Sequence, residues 1–222
     1  MRKLGYYLLN RSPADFIANR FAQWREPDIK IFFLGFNKTA TSALFHFLAR
    51  QGIKSFHWQR GEENLAAEVE KRIDEPAELK RYLSKSTAYS DFTYSSDERI
   101  LDGNRHFRMF HELFTRAYFV LNDRDPERWV DSRLRHRRGQ FARRSAKLRG
   151  CSEDELRGVW LKEREEHNRA VLSYFADSER FLHFRVDRDP ISRLIDFLSP
   201  HFRLKPHHWA RENVSAKRWP KP

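Results

Sequence analysis

The chain has a single cysteine, Cys151, in 222 residues. One thiol excludes an internal disulfide and a cysteine-built metal site, and a reducing cytoplasm is the expected location. Cys151 stands beside Gly150 in an expected loop and reads as an idle thiol. Glycine is also scarce, at eight residues. There is no tandem repeat, low-complexity tract or Pro/Gly-rich linker, so no domain boundary is drawn and residues 1–222 read as one domain. No apolar run approaches the ~20 residues of a membrane span. The apolar patch Tyr6–Leu9 is too short for a signal-peptide core, and no small-residue cleavage site follows it.

Acidic residues are outnumbered, 31 Asp and Glu against 43 Lys and Arg, giving a formal net charge of +12. Such an excess points to an anionic partner: nucleic acid, a membrane surface, or a small molecule bearing phosphate or sulfate. The densest stretch, Arg133–Arg149, carries seven arginines and one lysine with no acid. It reads as a solvated basic face or, bounded by Gly139 and Gly150, as a mobile lid over an anionic acceptor. Aromatics are plentiful, with 19 Phe, so the composition is that of a chain with a core.

At the N-terminus, Ala14, Ile17, Ala18, Phe21 and Trp24 recur at helical spacing. Residues 1–27 therefore read as an amphipathic packing segment. Peripheral membrane contact is the alternative, because Arg2, Lys3 and Arg11 flank the apolar residues. The C-terminus, from about 205 to 222, reads as a basic tail.

Five segments read as buried strands: Ile29–Gly35, Ile53–Trp58, Ala88–Phe92, Arg116–Arg124 and Phe181–Val186. The first and fourth hold continuous apolar runs, the pattern of strands covered on both faces. Helical stretches at 41–51, 62–84, 105–114, 126–138, 153–176 and 190–198 alternate with them. The alternation predicts an α/β fold with a central, mostly parallel five-stranded sheet flanked by helices. Asp125-Pro126 and Asp189-Pro190 each place an N-cap aspartate before a proline, and Ser152 with Glu155 makes a capping box. Leu156, Val159, Trp160, Val171, Leu172 and Phe175 form one apolar stripe on the helix after Ser152, which reads as core.

Ligands of open α/β sheets sit at the carboxyl ends of the strands. The first strand runs into Gly35-Phe36-Asn37-Lys38-Thr39-Ala40-Thr41-Ser42 and then an apolar helix. A strand–loop–helix of this kind presents backbone N–H groups to an anion, with Lys38 as a point charge and three hydroxyls as donors. The nucleoside-triphosphate pattern GxxxxGK[ST] is not met, because the lysine follows the glycine by three residues and the loop has one glycine only.

GFNKTATSALFHFL after an apolar strand resembles the 5′-phosphosulfate loop of sulfotransferases, commonly close to PKTGTTWL. The resemblance extends to Arg124-Asp125-Pro126-Glu127-Arg128-Trp129-Val130-Asp131-Ser132, an arginine at a strand end with a serine eight positions on. Over about Ile29–Ser215 the chain is similar to small sulfotransferases with a GFNKTxTS-type loop and a later His-Trp. That likeness implies a P-loop-like three-layer fold and transfer of a sulfuryl group from 3′-phosphoadenosine 5′-phosphosulfate (PAPS). The acceptor would be a hydroxyl or amine, with a carbohydrate or glycolipid suggested by analogy, and no metal is expected. Donor contacts fall on Asn37, Lys38, Thr39, Ala40, Thr41 and Ser42, and the 3′-phosphate on Arg124 and Ser132. Two departures stand out: Asn37 replaces the common proline, and Ala40 replaces glycine, which calls for a backbone without positive φ there.

In this reading Lys38 meets charge building on the leaving phosphate oxygen. His57, in SFHW, is the candidate base. His46 packs. Asp91 is the remaining candidate, as base, as a group orienting His57 or the acceptor, or as a strand-end cap. Arg188-Asp189-Pro190 repeats the syntax of Arg124, but Asp196 stands where the serine would be, so the second copy reads as structural. Trp58, Trp129 and Trp209 are candidates for stacking on adenine, Trp129 better suited to the core, and Arg211–Arg218 for closing over the nucleotide. Three other readings stay open: a nucleotide-kinase-like phosphotransferase, with Asp91 and Asp123 as its only plausible metal carboxylates; a basic nucleic-acid-binding protein; and a sulfotransferase fold that binds nucleotide without turnover.

Overall fold

The structure is a computed structural model that describes residues 13–210. The Tyr6–Leu9 patch and the Arg211–Arg218 segment lie outside those residues. Helix α1 (Pro13–Arg25) leads to β1 (Ile31–Phe33), α2 (Thr41–Ala49) and β2 (Ser55–His57). A small hairpin, β3 (Gln59–Arg60) with β4 (Glu63–Asn64), precedes α3 (Leu65–Glu70), α4 (Pro76–Leu83) and β5 (Ala88–Ser90). A second hairpin, β6 (Thr93–Ser95) with β7 (Ile100–Asp102), precedes α5 (Phe107–Leu113) and β8 (Tyr118–Asp123). Three helices follow, α6 (Pro126–Leu134), α7 (Gln140–Arg149) and α8 (Glu153–Tyr174), then β9 (Phe181–Arg185) and α9 (Ile191–Leu198).

All five expected strands enter one sheet, in the order β2-β5-β1-β8-β9. Every pairing is parallel, with Ile31 opposite both Ala88 and Tyr118. Residues alternate across β1 as strand geometry requires. Phe32 and Leu34 enter one core, with Tyr89, Phe110 and Phe119. Ile31 and Phe33 enter the other, with Phe47, Val120 and Phe184. The phenylalanines fill the first core by stacking: Phe32 lies 5.1 Å from Phe110 and 5.5 Å from Phe119, centroid to centroid.

From β1 the chain moves through α2 to β2 on one side, and from β8 it moves to β9 on the other. The crevice between the carboxyl ends of β1 and β8 is therefore a topological switch point. Both loops singled out in the sequence, after Gly35 and at Arg124, open there.

Several local expectations are corrected. The helix expected over 62–84 is two, because Pro76 starts a new helix at its first position. Asp125 caps α6 by accepting from Arg128 N–H, and Ser152–Glu155 is a complete capping box. Asp189 caps nothing: it accepts from Arg185 N–H at 2.8 Å and pairs with Arg193, and α9 starts after Pro190 without a side-chain cap. Residues 133–150 are not a free lid. Phe141, Ala142 and Ala146 of α7 pack with Trp129, Leu156 and Trp160 in a third core, and left-handed backbone falls outside that helix, at Arg137, Arg138 and Gly139 before it and at Gly150 after it. Arg133 is buried inside this core, its guanidinium 4.6–5.3 Å from the rings of Trp160, Phe141, Trp129 and Phe36 and 3.4 Å from Asp102.

The N-terminal segment is inverted relative to expectation. The apolar stripe of α1 faces solvent, and its polar side is docked, with Asn19 buried. Among the described residues, no helix is long and apolar enough to cross a membrane.

Candidate functional site

The loop leaving β1 is fastened from three sides by side chains that arrive from elsewhere in the chain. Asn122, fully buried on β8, accepts from Gly35 N–H at 2.9 Å and donates to Thr39 carbonyl and hydroxyl oxygens at 3.0 and 2.7 Å. Trp129 on α6 donates its indole N–H to the Asn37 carbonyl at 2.9 Å. Arg124 donates to the Lys38 carbonyl at 3.2 Å. Thr39 donates back to Phe36 O at 2.6 Å. The root of the loop, the Leu34 carbonyl, accepts from Asn104 and His167 at 2.8 and 2.9 Å. Burial drives His167 down to about 4, so this imidazole is neutral at pH 7.

Lys38 and Ala40 both have positive φ, 71° and 62°. The expectation for Ala40 is thus overturned: the loop keeps the left-handed turn that glycine would hold and fits alanine into it. An L-residue there costs about 1–2 kcal/mol. We expect Ala40→Gly to raise stability by up to about 1 kcal/mol, the rest being lost to the freer unfolded chain. The urea midpoint reads it; a lower midpoint would mean that the methyl group packs.

The second motif sits beside the first. Arg124 is half-buried, and its Nε has no hydrogen-bond partner. Its proton affinity is lowered mainly by burial and also by Arg128 and Arg135, while Asp187 and Asp125 act the other way. Arg128, Ser132 and Arg135 recur at i, i+4 and i+7 from α6 onward, on one helical face. Sequence reading found Ser132 but not the two arginines that flank it. Lys38 belongs to the same positive field. His136 falls to about 4, first through burial and then through the charges of Lys38, Arg137 and Arg133.

Across the loop, β2 and β5 end in a compact polar cluster. His57 Nε2 lies 3.1 Å from Ser42 Oγ, and Nδ1 lies 3.1 Å from Ser90 Oγ. Asp91 Oδ2 accepts from the Thr41 hydroxyl at 3.2 Å and stands 4.0 Å from His57 Nε2; Asp91 Oδ1 is buried without a partner. Asp91 reaches this place through a left-handed backbone, φ 59°. Burial lowers the His57 pKa, and the neighbouring Asp91 charge partly restores it. Phe45 stacks on the imidazole at 5.5 Å. His46, half-buried on α2, packs edge-on to Phe45 at 4.9 Å.

The loop, Arg124, His57 and Asp91 therefore gather at one end of the sheet. Trp129 belongs to the core, as its sequence position suggested. Trp209 packs edge-on against Phe47 at 5.8 Å. Trp58 is half-buried at the end of β2, with the Arg137 guanidinium 5.0 Å from its ring centroid. Asp123 is committed to Arg164, at 2.5 Å, and to His183, at 3.4 Å.

No protein-family model and no curated protein matches this chain.

Proposed function

We propose that this protein is a sulfotransferase that takes its sulfuryl group from PAPS. One observation carries the reading: two motifs 86 residues apart meet through the Arg124–Lys38 hydrogen bond. Together they form a basic crevice at the switch point of the sheet. The unpartnered Arg124 Nε and the Ser132 face of α6 suit a phosphate on one side of the loop. The loop backbone and Lys38 suit a second phosphate on the other.

The chemistry follows from the residues. The acceptor oxygen or nitrogen forms a bond to sulfur, and the bond from sulfur to the 5′-phosphate oxygen breaks. Lys38 meets the charge that builds on that oxygen. His57 takes the acceptor proton on Nε2, the ring nitrogen that lies 3.1 Å from the Ser42 hydroxyl. Its lowered pKa keeps it neutral and basic at pH 7, and Asp91 stabilises the imidazolium as it forms. Trp58 and Arg137, next to the base, supply a flat ring and a cation. That pair suits a carbohydrate acceptor carrying negative charge.

Isothermal titration with 3′,5′-adenosine bisphosphate in EDTA tests the donor site. Binding by the wild type is expected, and its loss in a folded Arg124→Ala variant. No binding by folded wild type removes the reading. A second expectation concerns pH. The acid limb of kcat/KM reports protonation of His57, and Asp91→Asn removes the charge that holds its pKa up. The limb should therefore move to lower pH. A shift to higher pH would assign the base to another group.

A further inference from the structure

The most conspicuous anomaly on the molecule lies away from the crevice. Ile17, Phe21 and Trp24 of α1 are 65%, 55% and 76% exposed. No other large apolar side chain among the described residues exceeds 38%. The three stand at i, i+4 and i+7, one helical face, and the rings of Phe21 and Trp24 touch at 5.6 Å. A contiguous apolar strip in water marks a contact surface.

The helix cannot turn to hide this strip, because its opposite side is bonded in place. Asn19 donates to Gln51 O and Arg203 O at 2.8 and 2.9 Å and accepts from Arg203 N–H at 2.7 Å. Gln23 donates to Gly52 O at 2.9 Å and accepts from Lys54 N–H and the Thr87 hydroxyl at 2.8 and 2.9 Å. Rotation would break all of these and leave buried backbone groups unpaired.

Charge identifies the occupant. On a helical wheel Arg20 borders the strip on one side and Arg25 on the other, both exposed. Arg25 shares one carboxylate, Glu26, with Arg116, so the border stays net positive. The twelve residues that precede α1 in the sequence carry Arg2, Lys3 and Arg11 and no acid. A second copy of this chain would set arginines against arginines across a two-fold contact. Anionic headgroups over an apolar layer match both features at once.

We propose that α1 seats this protein on an anionic lipid surface, with Ile17, Phe21 and Trp24 in the acyl boundary and Arg20 and Arg25 among the headgroups. The contact leaves the crevice free. Asn19 and Gln23 dock α1 at the amino ends of β2 and β5, whereas the phosphate loop, His57 and Arg124 lie at the carboxyl ends of the sheet. The site of transfer faces the aqueous side.

Co-sedimentation of the full chain with vesicles tests this. Binding is expected to mixed phosphatidylcholine–phosphatidylglycerol vesicles and at least tenfold weaker binding to phosphatidylcholine alone. The triple variant Ile17→Ser, Phe21→Ser, Trp24→Ser should bind the anionic vesicles at least tenfold more weakly. It should melt and bind adenosine bisphosphate like the wild type, since none of the three side chains is buried and none lines the crevice. Arg20→Glu should lower binding with the apolar strip intact. Wild type that ignores anionic vesicles, or a triple variant that still binds them, overturns the proposal. So does sedimentation velocity showing a wild-type dimer that the triple variant loses, without vesicle binding.

Discussion

Gly35→Ala is expected to destabilise the protein by about 4 kcal/mol or more, a loss confined to a few mechanisms, close overpacking among them. The reason is room, not backbone freedom. A Cβ at Gly35 would stand 1.9 Å from the Asn122 carbonyl oxygen, 2.7 Å from Thr39 Oγ and 2.9 Å from Asn122 Cγ. The first of these is backbone inside β8, which pairs on both flanks with β1 and β9. On the other side Leu34 N–H is bonded to Val120 O at 2.8 Å, one residue before the glycine. Neither strand can step back without opening the sheet at its centre. In a chain of this size the loss should lower Tm by roughly 10 °C. Thermal melting or urea unfolding measures it. A wild-type Tm would show that β1 and β8 do not close as tightly as described.

The second large effect is on activity with the fold spared. Under the proposed function, Lys38→Ala is expected to lower sulfuryl transfer by about 100- to 1000-fold, the usual cost of removing one preorganised group at a developing oxyanion. Stability should change little. The Lys38 carbonyl, not its side chain, is what Arg124 holds, and alanine tolerates the φ of 71° no worse than lysine does. Single-turnover transfer from labelled PAPS reads the chemical step, and bisphosphate titration reads binding. The chemical step should fall much further than the affinity, because the charge matters most when the oxygen leaves. Transfer within tenfold of wild type would remove Lys38 from the mechanism.

The strands and the loop after β1 were legible because each is written in contiguous residues. Apolar runs such as YFVLN end in polar groups at the sheet edge, and the loop residues follow one another directly. What holds the loop was not legible, because those residues break the local pattern. Asn122 is the one amide in a strand otherwise apolar from Tyr118 to Leu121, and the sequence gives no sign that it turns toward Gly35. On α8 the buried side runs through Leu156, Trp160, Arg164, His167 and Val171. Its two polar members carry the signal, since at those positions an arginine and a histidine must meet buried acceptors. Arg164 does so at Asp123 and the Arg124 carbonyl, and His167 at Leu34. The stretch from 133 to 150 misled for the opposite reason. Its charge density hides Phe141, Ala142 and Ala146, spaced to cover one face of a helix. Ala40 argued locally against the backbone it adopts, and the ties from Asn122, Trp129 and Arg124 outweigh that local preference.

Those ties have a kinetic corollary. Under the proposed function, a phosphate seat already assembled in the free protein would gain no rigidity when filled, so neither donor nor spent nucleotide would have to organise it. Both carry the same two phosphate positions and differ only in the sulfuryl group. The spent bisphosphate should therefore cling about as well as the donor, compete with it, and make departure of the nucleotide, rather than transfer, the step that paces each cycle.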